Sequence, residues 1–252
     1  HLARLEEWLV EAGVNDVGGI TRRHLREWGA SLLNDWAPST VKTSVTAARS
    51  WLKWCYAEGY IAEDLSKALA TPRVPRRTQR TLTGKEINRM LAGCDDSPRG
   101  RRDAAIISLL ADSGLRRSEL IALRLHHVDL HNHRLSGFTR KGGDDGWAAF
   151  GDATARRIVS WLSLRPPGND ALFVAIGGSY PGRPLTGDGL RTILRKRGES
   201  VGVPNVTPHA FRRAFACLLV EGNVPTRIVQ ALGGWSDVRQ VERYTAALDA
   251  QR

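Results

Sequence analysis

Apolar residues recur three and four positions apart along most of the chain, which predicts a mainly helical protein. His1–Glu11 reads as an amphipathic helix carrying three glutamates. Thr21 is placed as the N-cap of a helix over Arg22–Asn34. Pro38 and Ser39 open a longer helix, with Val41, Val45, Ala48, Leu52 and Cys55 on one face and Gly59 placed to end it. Lys42 and Arg49 lie off that apolar stripe, and Trp51 and Trp54 are assigned to the core. A short helix near Glu63–Leu69 completes a small four-helix bundle over residues 1–70.

Periodicity stops at Thr71–Thr81, where Pro72 and Pro75 disfavour helix. This stretch reads as a linker, so the expected division is 1–70, a linker over 71–82, and 83–252. The third part opens with Thr83-Gly84-Lys85-Glu86, a capping box. Arg102–Ser113 is apolar on most faces, so it is expected to be a buried helix stopped by Gly114. Then the period changes. His133–Arg140 and Trp147–Phe150 flank a Gly/Asp turn over 141–146, which predicts a β-hairpin. Helices are expected again at Thr154–Leu164, Asp188–Ser200, Pro208–Glu221, Pro225–Leu232 and Val238–Leu248, with Thr207 and Pro208 as an N-cap and N1 pair. The fold class is therefore mainly α with a small antiparallel β-sheet.

Charge changes the picture. Lys and Arg number 37 against 26 Asp and Glu, a net of +11 over 252 residues. The first 70 residues carry a net of −1, the linker +4 and the remainder +8. Most of the basic residues are arginine, which suits bidentate phosphate contact. Such an excess points to a polyanionic partner or to an arginine-rich host. No apolar run is long enough to span a bilayer, and the N-terminus lacks the form of a secretory signal. Three cysteines far apart (Cys55, Cys94, Cys217) make no disulfide framework and are read as buried small hydrophobes in a reducing compartment. Because the chain starts at His rather than Met, it is expected to be a piece of something longer.

Four stretches carry candidate chemistry. Ser113-Gly114-Leu115-Arg116-Arg117-Ser118-Glu119 sets an arginine at the start of a short helix. Arg140-Lys141-Gly142 sets a lysine at the hairpin turn. Thr207-Pro208-His209-Ala210-Phe211-Arg212-Arg213 sets His209 and Arg212 three apart on one helix face. Leu232-Gly233-Gly234-Trp235 is followed by Tyr244, nine residues after the tryptophan. Each alone is weak, since turn lysines, surface arginines and helix tyrosines are common.

In this order and spacing they resemble the tyrosine recombinase (phage integrase) family, whose pattern is G-L-R-x-S-E, a G-K-G hairpin, H-x-x-R, G-H or G-W, and then a tyrosine nine residues on. Arg116, Lys141, His209, Arg212, Trp235 and Tyr244 match its catalytic positions, with Glu119 supporting. Lys141 is placed by aligning Arg140–Gly151 on G-K-G-x-K-x-R-x-V-P-L-G. Trp235 stands where most members carry histidine, and Cre recombinase has tryptophan there too. The resemblance extends to Ala37–Gly59, which looks like the family's N-terminal core-binding (SAM-like) domain. Some positions depart from the pattern. Arg213 replaces a frequent second histidine, Asp144 and Asp145 occupy often-basic hairpin positions, and only eight residues follow Tyr244. A C-terminal docking tail or an upstream arm-binding domain is expected in a longer chain.

The resemblance implies a four-helix core-binding bundle joined to an α+β catalytic domain, the two clamping duplex DNA. Lys42, Arg49, Arg73, Arg76, Arg77, Arg80 and Arg140 would contact the DNA. Tyr244 would attack a phosphate, Arg116 and Arg212 would hold its nonbridging oxygens, and Lys141 would protonate the leaving 5′ oxygen. His209 would take the phenol proton or donate to the phosphate, and Trp235 could donate its indole N–H. The phosphotyrosine link conserves bond energy, so neither cofactor, ATP nor metal is expected. His126, His127, His131 and His133 have no spacing that fixes a tetrahedral metal set. The resemblance further implies a homotetramer on two synapsed sites, strand exchange through a Holliday junction, possible DNA-bending or directionality proteins as accessories, and a mobile-element or phage gene acting in the bacterial cytoplasm. Two other readings stay open at this point: a type IB topoisomerase-like relaxing enzyme, and a DNA-binding relative without catalysis.

Overall fold

The computed structural model describes residues 1–74, 81–140, 142–178 and 180–249, the last three by backbone alone. They fall into two units, residues 1–77 and 78–252. Three α-helices occupy the first: α1 (Leu2–Glu11), α2 (Arg22–Asp35) and α3 (Pro38–Ala57). Thr21 caps α2 as expected, its hydroxyl accepting from His24 N, while His24 Nδ1 accepts from Thr21 N. Leu5, Leu9, Leu25, Trp28, Leu32, Val45, Ala48 and Leu52 form the core. Each large side chain buried there is worth roughly 1.5–3 kcal/mol.

Two expectations for this unit need correction. The segment near Glu63–Leu69 is a 3-10 turn, Leu65–Ala68, and not an α-helix. The Asp64 carboxylate accepts from Ser66 N and caps a single turn, after which Leu69 is drawn into the core. Trp54 is not core but 51% exposed, its ring tilted against that of Tyr60 at 5.4 Å. On α3 it sits two residues from Leu52, hence on roughly the opposite face. Trp51, on the flank, does pack against the core.

The second unit contains α4 (Gly84–Ala92), α5 (Pro98–Ser113), α6 (Arg117–Ala122), then β1 (Val128–Asp129), β2 (Arg134–Thr139) and β3 (Asp145–Ala149). It continues with α7 (Asp152–Leu162), α8 (Gly187–Ser200), α9 (Pro208–Glu221), α10 (Thr226–Gly233) and α11 (Val238–Asp249). The sheet is antiparallel, in the order β1-β2-β3, with an irregularity between Ser136 and Phe138. β3 begins inside the stretch expected to be turn, because Asp145 pairs with Thr139 and Gly146 with Phe138. The capping box at Thr83 and Glu86 and the cap at Thr207 form as expected.

Helix α5 is the centre of this unit and packs against α7 and α9. Ile106, Ile107, Leu109 and Leu110 are fully buried. A buried ion network fixes its first turns: Asp103 accepts from Arg102 at 2.8 Å and from Arg197 of α8 at 2.8 Å. Near its end Asp112 accepts from Gly151 N and Thr154 Oγ1, which holds the start of α7. Gly114 stops the helix in the left-handed region (φ 58°). A Cβ at Gly114 would fall 2.5 Å from the Phe215 ring, so α5 and α9 approach closely there. Among the described residues no helix is long and apolar enough to cross a membrane.

Candidate active site

The stop at Gly114 buries Leu115 and delivers Arg116 to the head of α6. Thr207 and Pro208 start α9 so that His209 and Arg212 share a face one turn in. The left-handed Gly234 (φ 61°) ends α10 and turns the chain so that Trp235 folds back over Phe215 at 6.2 Å. α11 carries Tyr244 to the same place. Arg116, Arg140, His209, Arg212, Trp235 and Tyr244 thus line one cleft of about 670 Å3.

Its electrostatics centre on the C-terminal end of α10. Carbonyls at a helix end lack intrahelical partners and carry the negative end of the helix dipole. Here every one from Gln230 to Gly234 is accounted for. Trp235 N donates to Gln230 O and Gly234 N to Ala231 O. The next three accept from arginines: Leu232 O from Arg140 (3.4 Å), Gly233 O from Arg212 (2.8 Å) and Gly234 O from Arg116 (3.1 Å). Three guanidiniums therefore gather around one helix end. Glu119, 2% exposed, compensates part of that charge, with its carboxylate accepting from Arg116 Nη1 at 2.7 Å and Arg116 N at 2.8 Å.

Arg212 is 4% exposed, donates also to Gly114 O at 2.6 Å, and lies 4.0 Å over the Trp235 ring. Burial, with Arg116 nearby, pushes its guanidinium down to about 10. His209 is held below the ordinary imidazole range by partial desolvation and by the charges of Arg213 and Arg212. Its ring meets the Tyr244 ring edge-on at 5.6 Å, and the Trp235 ring lies 5.9 Å from the same tyrosine. Cys217 of α9 donates its thiol to Tyr244 O, which ties α11 to α9.

Five of the six catalytic positions expected from the sequence come together here; Lys141 lies outside the described residues. Glu119 is in place under Arg116. Among the expected DNA contacts, Arg76, Arg77 and Arg80 also lie outside the described residues. Lys42 and Arg73 are exposed in the first unit, where Arg49 donates to Thr71 Oγ1 at 3.0 Å. Arg140 sits in the cleft, half-buried against backbone carbonyls. Sequence reasoning missed Ser236 and Gln240 in the cleft wall. Gln240 stands one helical turn before Tyr244, a spacing that would have marked it. Of the histidines weighed for metal, His126 and His127 stack edge-on and His133 pairs with Asp152 at 3.1 Å.

A buried Arg212 and a partly buried Arg116 thus share one helix end, in a cleft where His209 meets Tyr244. The chain belongs to the phage integrase family and is a site-specific tyrosine recombinase, the family model matching residues 80–251. Tyrosine recombinase XerC of Corynebacterium efficiens is 30% identical over 241 residues, covering 93% of this chain and 76% of the relative. Tyrosine recombinase XerC of Pseudomonas syringae pv. tomato is 31% identical, covering 96% of this chain and 78% of the relative. Among solved structures, XerH site-specific recombinase bound to palindromic difH substrate shares the fold, with a TM-score of 0.81 at 20% identity, covering 100% of this chain and 75% of that one. A lambda integrase dimer bound to a COC′ core site gives a TM-score of 0.74 at 15% identity, covering 97% and 86%.

Proposed function

We propose that the cleft cleaves and rejoins duplex DNA through a 3′-phosphotyrosyl intermediate. The observation that carries this is a tyrosine in ring contact with a histidine, in one cleft with Arg116 and the buried Arg212. Tyr244 Oη attacks the scissile phosphorus and a P–O bond to tyrosine forms as the P–O5′ bond breaks. Tyrosine is a poor nucleophile at its usual pKa of about 10, so its proton must be taken. His209, held neutral, accepts that proton. Arg116 and Arg212 keep N–H groups beyond those spent on carbonyls, and these stabilise the charge that builds on the nonbridging oxygens. Their geometry is preset by Gly114 O, Gly233 O, Gly234 O and Glu119. Trp235 floors the site, and Lys141 protonates the 5′ oxygen as it leaves. Reversal with a different 5′ hydroxyl rejoins the strand.

The partner is double-stranded DNA, in keeping with the DNA-bound recombinase structures of this fold. Affinity comes chiefly from phosphate contacts and falls with salt. Lys42, Arg49, Arg73, Arg76, Arg77 and Arg80 supply those contacts, with residues 1–70 and 83–252 as the two DNA-gripping domains and 71–82 as the linker between them. Strand exchange takes place in a homotetramer on two synapsed sites, through a Holliday junction, in the bacterial cytoplasm.

The test begins with a nicked random-sequence duplex library, from which covalent adducts are trapped and sequenced to define the site. A supercoiled plasmid carrying two copies of it is then offered to the protein. Recombinant circles or inversions are expected. Relaxed topoisomers without recombinants would support a topoisomerase-like enzyme instead.

A further inference from the structure

We propose that Arg140 is a positioning residue for the general acid, clamping the β2–β3 hairpin to the end of α10. The proposal rests on the reading of Lys141 as that acid, since Arg140 immediately precedes it. Arg140 stands where the family pattern has glycine, so a role must be sought in this chain's own geometry. Its Nη2 donates to Trp147 O on β3 and to Leu232 O on α10, a partner 92 residues away in sequence. Its backbone is fixed as well: Arg140 N donates to Asp144 O at 2.9 Å and Arg140 O accepts from Gly143 N at 3.1 Å. One residue thereby joins both hairpin strands to the helix end whose next two carbonyls hold Arg212 and Arg116.

Gly234 makes this passage possible. A Cβ there would fall 1.5 Å from Arg140 Nη1, so any side chain would expel the guanidinium. The glycine both allows the left-handed stop of α10 and opens the path for Arg140. Arg140 is also half-buried, and its Nη2 donates to two uncharged carbonyls on two different elements, which is the arrangement of a strut. Without the strut, the Arg140 side chain would no longer tie the end of β2 to α10, and a misplacement of about 1 Å in a reacting group costs on the order of 100-fold.

The test exploits the leaving group. When the bridging 5′ oxygen of the trapped site is replaced by sulfur, the P–S bond breaks to release a thiolate, which needs no proton. Single-turnover cleavage is measured on oxygen and sulfur duplexes for wild type, Arg140→Ala, Arg140→Lys and Lys141→Ala, with gel-shift affinity and Tm alongside. Arg140→Ala and Arg140→Lys are expected to cut the oxygen duplex slower by about 30-fold or more and to return to within about 3-fold of wild type on sulfur, as Lys141→Ala does. Lysine keeps the charge but ends one bond short of the Nη2 that reaches both carbonyls, and it preserves the stem if the alanine variant unfolds. Equal slowing on both duplexes, lost affinity with a shallower salt slope, or full rescue by Arg140→Lys would overturn the proposal. Failure of sulfur to rescue Lys141→Ala, where Arg140 is intact, would remove the reading of Lys141 and this proposal with it.

Discussion

Arg212 and Arg116 donate to consecutive carbonyls, those of Gly233 and Gly234, at 2.8 and 3.1 Å. The end of one helix therefore sets the spacing of two guanidiniums that are 96 residues apart in the chain. Both arginines also have a fixed second partner, Gly114 O for Arg212 and Glu119 for Arg116. Pre-set donors of this kind need no reorganisation when charge develops on the phosphate.

Arg212→Lys tests that geometry. It preserves the charge but leaves Gly114 O or Gly233 O without its donor in a buried place. Cleavage is expected to fall at least ~100-fold, with a loss of about 1–3 kcal/mol in folding stability for the unsatisfied carbonyl. Glu119→Gln removes the charge beneath Arg116 and leaves its shape. It should slow cleavage more than it lowers Tm, which single-turnover rates and thermal melts will separate.

As the proposed base, His209 should set the acid limb of the reaction. Its imidazole is depressed by desolvation and by Arg213 and Arg212, so the neutral, proton-accepting form persists to a pH below the ordinary histidine value of about 6.5. The pH profile of kcat/KM, which reports the free enzyme, should lose activity only as pH falls below that value. Arg213→Ala removes one depressing charge, and the acid limb should move upward in pH. An unmoved limb would assign it to another group.

Trp235 binds the site to its own small core. It is 4% exposed, stacked on Phe215, beneath Arg212 and beside Tyr244. Trp235→Ala is expected to cost about 3–5 kcal/mol by cavity formation. Trp235→His restores part of the volume and a ring N–H, so its Tm and its cleavage rate should both lie between those of wild type and the alanine variant.

Asp103 lies away from the cleft and is the shared acceptor of Arg102 and Arg197. Asp103→Ala leaves two arginines facing a buried site without their counter-charge and should destabilise the second unit by about 3–5 kcal/mol. Denaturant melts read this directly. At temperatures where the variant is folded, its cleavage rate should match wild type.

Helix starts and stops were legible because they are local. Thr21, Thr83 and Thr207 cap their helices through hydroxyls that reach three residues on, and Gly114 stops α5 by a conformation glycine favours. The motif residues Arg116, His209, Arg212, Trp235 and Tyr244 also converge, as the family resemblance implied. What escaped depends on distant partners. β1 is two residues long and exists only by pairing with Leu135 and Arg134. Trp54 was assigned to the core by residue type, whereas its position on α3 turns it outward. The carbonyl partner of Arg140 lies on α10, beyond the reach of any local pattern.

The most direct measurement is adduct formation on a nicked suicide duplex, read on a denaturing gel for wild type and Tyr244→Phe, with binding followed by gel shift. Wild type should shift to a covalent protein–DNA band, and Tyr244→Phe should bind DNA equally and give none. An adduct that survives in Tyr244→Phe, or wild-type binding with no adduct at all, would contradict the assignment of this cleft as the site of strand cleavage.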